Sequence, residues 1–106
     1  MKNITNAFGS LIFLAAVLAA ADANAGKVAY DKACKSCHGA DGTPNPKIAA
    51  MMKVEMRHLG SKEVQSMSDA AHKKVITEGH GKMKPVKTIS GAAVDDVVAY
   101  IRTLKQ

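Results

Sequence analysis

The chain of 106 residues contains no tryptophan, and aromatic residues make up only 4% of it. Aromatic rings supply much of the apolar area that small cores bury, so a core built from these side chains alone would be thin. Cysteine is as scarce: two residues permit at most one disulfide. No internal repeat and no low-complexity tract is present, so one domain is expected. No segment alternates apolar and polar residues as a half-buried strand does, which leaves an all-α domain as the economical fold. Lys and Arg outnumber Asp and Glu by 15 to 9, for a net charge of +6. The basic residues are spread along the chain without a dense cluster or interleaved aromatics, which argues against nucleic acid as a partner.

The chain also lacks an apolar run long enough to span a bilayer, which takes about 20 residues. Lys2 precedes an apolar stretch from Ala7 to Ala21 that is interrupted by Gly9 and Ser10, and Ala23-Asn24-Ala25 follows with the small-x-small pattern of a cleavage site. The expectation is a signal peptide over 1–25, cleaved after Ala25, and a periplasmic mature domain over 26–106. No cysteine stands at the cleavage site, so no lipid anchor is indicated. Lys2 and Asp22 cancel, so the mature chain keeps its charge of +6. Such a charge either solvates the surface or attracts acidic partners and anionic membrane surfaces. A mature chain this short has difficulty burying enough apolar area and usually leans on a metal, a disulfide or another staple.

Helical signals cover most of what remains. Val94, Val97, Val98, Ile101 and Leu104 recur at spacings of three and four and form one apolar face. Ser90 is a candidate cap for this last helix, with Asp95 and Asp96 near its start and Arg102 and Lys105 near its end, as the helix dipole prefers. A second helix is expected from Ser68 or Asp69 to Gly79, carrying Ala71, Val75 and Ile76, with Gly81 and Pro85 preventing its continuation. A third spans roughly Val28 to Ser36. Residues Gly39 to Lys47, with two glycines and two prolines, read as loop. Ile48 to Gln65 shows no firm period and holds one or two short helices.

The chemistry is concentrated in Cys34-Lys35-Ser36-Cys37-His38, which matches the C-x-x-C-H pattern of covalent c-type haem attachment. At a helix end, residues three and four apart share a face, so two thiols can reach the two vinyl groups while the next imidazole meets the iron. The rival readings are a thioredoxin-like redox pair, a structural disulfide and half of a zinc site. The first should lie near a βαβ pattern and the last needs further ligands, and the sequence offers neither. A haem also answers the shortage of core, because one large apolar ring gives several short helices a common centre.

A sixth iron ligand must come from elsewhere. Met83, in Gly79-His80-Gly81-Lys82-Met83-Lys84-Pro85, is the best candidate, since it sits in a loop between two lysines, a poor setting for an ordinary buried methionine. Core filling is the better reading for Met51, Met52, Met56 and Met67. His80 is the rival ligand, while His58 and His72 stand beside basic residues and read as surface histidines.

Together these residues resemble the class I c-type cytochromes, over essentially all of 26–106. The resemblance rests on the haem motif, on Met83 followed by Pro85, and on the last helix with Val97 and Tyr100. Gly26 and Tyr30 look like the family's matching glycine and aromatic on the first helix. It implies three to five short helices around one haem, with the first and last crossing. It further implies that a proline carbonyl, from Pro44 or Pro46, accepts a hydrogen bond from the His38 imidazole. Many relatives place proline directly after the ligand methionine, whereas Lys84 intervenes here, and the missing tryptophan implies different surroundings for the propionates. The function implied is one-electron transfer between redox partners by a monomer, with no enzymatic step: the sequence shows no convincing general base or nucleophile. A gas-binding or catalytic haem protein with an open iron, and a subunit of a larger oxidase or dehydrogenase, remain the alternatives.

Overall fold

The computed structural model describes residues 20–106; most of the expected signal peptide lies outside them. Six helices and no strand occur among the described residues: α1 (Ala23–Ala33), α2 (Lys35–His38), α3 (Pro46–Met52), α4 (Lys62–Gln65), α5 (Asp69–Glu78) and α6 (Ala92–Thr103). The domain is all-α, with one helix more than expected because the first divides at Cys34. That residue leaves helical geometry at φ −120°, and its carbonyl then accepts from the amides of both Cys37 and His38. The helix also starts earlier than Val28, since the Asp22 carboxylate accepts from the amides of Asn24 and Ala25 and caps it.

Local chemistry sets the other boundaries. Asn45 caps α3 by accepting from the amides of Lys47 and Ile48, and Pro46 takes the first helical position, where its missing amide costs nothing. The loop therefore ends at Asn45 instead of Lys47. Helix α5 begins and ends as expected, with the Ser68 hydroxyl accepting from the Ala71 amide and Gly79 following at φ 81°. The stretch from Ile48 to Gln65 resolves into the end of α3 and the single turn α4. The expected cap at Ser90 does not form. Gly91 occupies that position at φ 58° with no side-chain cap, and Ser90 contributes only its carbonyl, to the Ala93 amide.

The core is the crossing of α1 and α6. A Cβ on Gly26 would lie 1.9 Å from the Asp96 carbonyl oxygen, so the two backbones meet where only glycine fits. One turn on, Tyr30 and Val97 are fully buried, and the Tyr30 and Tyr100 rings pack edge to face with centroids 4.9 Å apart. Ile76 from α5 packs into the same cluster as Val94, Val98 and Ile101. Phe8 and Phe13 fall outside the described residues, so the two tyrosines are the aromatic part of this core. Arg102 ties α6 to the segment joining α4 and α5: its guanidinium donates to the Gln65 and Met67 carbonyls and to the Asp69 carboxylate at 2.6–3.1 Å. Further ion pairs join Lys27 to Asp31, Lys73 to Asp95 and Lys74 to Glu78.

His72 is not on the surface as its basic neighbours suggested. It is buried on α5, and its Nε2 has no hydrogen-bond partner. Burial, reinforced by the Arg102 guanidinium, lowers its pKa against the smaller opposing effects of the Val64 backbone and Asp69.

Two outcomes follow. Gly26→Ala should destabilise the domain by roughly 1–3 kcal/mol or more, the range for overpacking a tight contact, seen as a lower melting temperature of the haem-loaded protein. Because folding holds His72 neutral, the unfolded chain binds the extra proton below its ordinary pKa of about 6.5. Stability should therefore be intact above that pH and fall as pH drops through it, and His72→Leu should flatten the change in denaturation midpoint between pH 7 and 5.

Candidate haem site

Helix α2 carries the motif, and its chain ends are unusually well tied. Gly39 follows it at φ 71°, in a bend where a Cβ would lie 2.2 Å from the Thr43 carbonyl oxygen. The Tyr30 hydroxyl donates to the Gly39 carbonyl at 2.7 Å, and the Tyr100 hydroxyl donates to the Ala40 carbonyl at 3.0 Å. Asn45 adds two bonds: its amide donates to the Cys37 carbonyl at 2.9 Å and its side-chain nitrogen to the Ser36 carbonyl at 3.1 Å. The tyrosines that fill the core thus also orient the segment carrying Cys37 and His38.

Cys34, Cys37 and His38 open on a cavity of about 570 Å³, within the range of small-molecule and cofactor sites. Its wall is mainly apolar, with Ile48, Met52, Leu59, Val75 and Val86 among the lining residues. Met83 and His80 line it as well. They stand at the two ends of a two-residue turn, with the amide of each donating to the carbonyl of the other at 2.9 Å. Gly81 takes φ 54° at the first turn position, as in a type II′ hairpin. The hairpin is pinned on both sides. A Cβ on Gly79 would lie 2.6 Å from the Met83 carbonyl oxygen and 2.9 Å from Pro85 Cδ, and the Val86 amide returns to the Ile76 carbonyl at 2.8 Å. Lys82 donates to the Met52 carbonyl at the end of α3. The lysine between Met83 and Pro85 therefore does not prevent a tightly held loop.

The thiols are free, and burial foremost, with the Cys37 charge second, pushes Cys34 up to about 11. An attacking redox thiol is activated in the opposite direction. No group of three or more His, Cys, Asp or Glu suited to a metal ion occurs among the described residues. Burial lowers the His38 pKa and favours its neutral, ligating form. The expected proline contact is not made: neither Pro44 nor Pro46 accepts from His38, whose buried Nδ1 has no hydrogen-bond partner. A neutral histidine with an unsatisfied ring nitrogen, two unpaired thiols and a thioether around one apolar cavity fit a thioether-linked haem.

Of the remaining candidates, Met52 and Met56 line the cavity, but Met51 is 72% exposed and Met67 is 37% exposed, so core filling does not describe those two. His58 accepts from the Gly60 amide through Nδ1 and does not face the cavity. Nothing in the local sequence pattern signals that Asn45 and the two tyrosyl hydroxyls hold the motif loop, or that Glu55 and Arg57 line the cavity. Such contacts join segments far apart in the chain and leave no local periodicity.

An all-α domain whose C-x-x-C-H helix faces a pinned methionine loop across an apolar cavity is built as a covalent haem protein. The chain belongs to the cytochrome c family, whose model matches residues 23–105. Among solved structures it is similar to the KustC0563 c-type cytochrome, with a TM-score of 0.65 and 30% identity, over 76% of this chain and 98% of that one. No curated protein sequence matches it. Membership brings covalently bound haem c with its iron and an electron-transfer function. No helix among the described residues is long and apolar enough to cross a membrane.

Gly79→Ala should place a Cβ against Met83 at a φ that side chains rarely adopt, at a cost of roughly 1–3 kcal/mol. Chemical denaturation of the haem-loaded variant should show that loss as a lower midpoint.

Proposed function

We propose that the protein is an exported, periplasmic, monomeric one-electron carrier. In this reading Cys34 and Cys37 hold one haem c through thioethers, and His38 and Met83 are the axial ligands of its iron. The observation that carries the reading is the meeting of all four side chains at one apolar cavity. When bound, the haem supplies reversible one-electron iron chemistry.

The chain's own residues supply the rest. Cys34 and Cys37 fix the ring to α2, and His38 follows them directly, so anchor and ligand move as one body. Tyr30, Tyr100 and Asn45 hold the carbonyls around that body, and Gly79 and Val86 hold the hairpin opposite. Ligands held from both sides need little rearrangement between oxidation states. With His38 and Met83 both held for the iron, the chain would leave no place there for a substrate. Ligation by the Met83 thioether would raise the reduction potential relative to two histidines.

The net charge of +6 supports acidic redox partners, met through the small interfaces of transient electron-transfer encounters. Export is supported by the Ala23-Asn24-Ala25 pattern behind the apolar run; cleavage after Ala25 would remove Asp22 and the first three residues of α1, so the mature helix would begin at Gly26 without that cap.

The visible spectrum tests ligation and attachment together. The mature protein should show sharp ferrous c-type bands and the weak red-edge ferric band of a methionine–iron bond, and Met83→Ala should remove the latter. Haem bands without that feature would shift the ligand to His80 or leave the iron open. Electron exchange with an acidic partner should slow as salt rises from about 10 mM to about 150 mM, where the screening length falls from about 30 Å to about 8 Å; an unchanged rate would sink electrostatic steering.

A further inference from the structure

His80 has no role in the function described so far, yet its position is specific. Its backbone pairs with that of Met83 through both amides and both carbonyls, at 2.9 Å each. Residues opposite one another in such a pair project their side chains from the same face, with Cα atoms about 5.5 Å apart. Both residues line the cavity. The thioether and the imidazole therefore issue from one side of one hairpin toward one space. Exchanging one for the other would take a shift of the hairpin against its contacts at Gly79 and Val86, and no refolding of the helices. The tip itself is not packed at Gly81, where a Cβ would meet nothing within 4 Å.

Lys84, Met52 and Met56 also line the cavity, and the double variant tests them; the other competing groups are occupied elsewhere. The Lys82 ammonium is bonded to the Met52 carbonyl. His58 is engaged with the Gly60 amide, and His72 is buried in the α5 side of the core. His38 and His80 are thus the imidazoles that line the cavity, and imidazole is a ligand well suited to iron. Among the described residues, no hydrogen bond ties up the His80 ring.

We propose that His80 is a second axial ligand, carried in the same hairpin as Met83 and taking the iron when the Met83 thioether is lost. The proposal rests on the assignment of Met83 as the resting ligand. Its consequence is that loss of Met83 converts the site to two imidazoles, with a lower potential, instead of opening it to small molecules.

The test compares the haem-loaded wild type, Met83→Ala, His80→Ala and the double variant, read by ferric spin state and by carbon monoxide binding to the ferrous form. Met83→Ala should stay six-coordinate and low-spin without the red-edge band. The double variant should be high-spin and bind carbon monoxide at least about tenfold faster, the mark of an open axial position. His80→Ala alone should keep the red-edge band. A high-spin Met83→Ala that binds carbon monoxide as fast as the double variant would overturn the proposal, and so would a double variant that stays low-spin through some other residue. A wild type without the red-edge band would instead refute the resting assignment of Met83, and the role of His80 as a reserve with it. Should Met83→Ala fail to fold, Met83→Leu keeps the volume without the ligand and answers the same question.

Discussion

Everything at the haem site depends on how closely α1 and α6 approach. Gly26 lets the two backbones touch, and that contact sets where Tyr30 and Tyr100 come to lie. Each tyrosine then does two things at once: its ring fills the core, and its hydroxyl captures a carbonyl just beyond His38. A side chain at Gly26 would separate the helices, and the loss would reach the histidine through the tyrosines. The motif cysteines are thus positioned from behind by a packing contact that involves no chemistry.

The same economy explains the thin core. One cluster of eight buried residues holds two short faces together, and the opposite half of the domain is organised around a cavity. The segments lining that cavity, the single turn α4 and the loops on either side of it, have little apolar contact with one another to hold them. A covalently attached ring replaces the missing side chains there. Polar bonds do more there: Gln65 donates to the Leu59 and Ile101 carbonyls, and the His80–Met83 hairpin is held by its own backbone bonds and by Gly79 and Val86.

The parts of this structure that could be read from the sequence are those governed by neighbours in the chain. The apolar spacing of Val94 to Leu104, the Ser68 cap with its closing Gly79, and the C-x-x-C-H run are all local patterns. The pairing of Gly26 and Tyr30 with Val97 and Tyr100 was legible through family resemblance, and the observed crossing agrees with it. What escaped is what depends on distant segments. His72 has basic neighbours in sequence but is buried against α6 in space. Ser90 has the right chemistry for a cap, but the turn is made by Gly91 at positive φ. The break at Cys34 leaves no signature, because the residues on both sides of it are helical. His38 lacks the proline partner that resemblance implied, and Asn45, between the two prolines, binds the motif instead.

The ion pairs described above fall on α1, α5 and α6, where Lys27, Lys73, Lys74 and Arg102 each meet a carboxylate. Arg57, Lys82 and Lys84 line the cavity, with Glu55 as the acid among them. The ion pairs on the helices cancel locally, whereas the cavity lining carries two more positive than negative charges, so part of the net charge sits around the mouth of the haem site. In the field of an acidic surface, charge placed on one face would add a torque to the attraction. Encounters begun at random orientations would then end with the redox centre foremost, so that the search for a productive pose is shortened before contact is made.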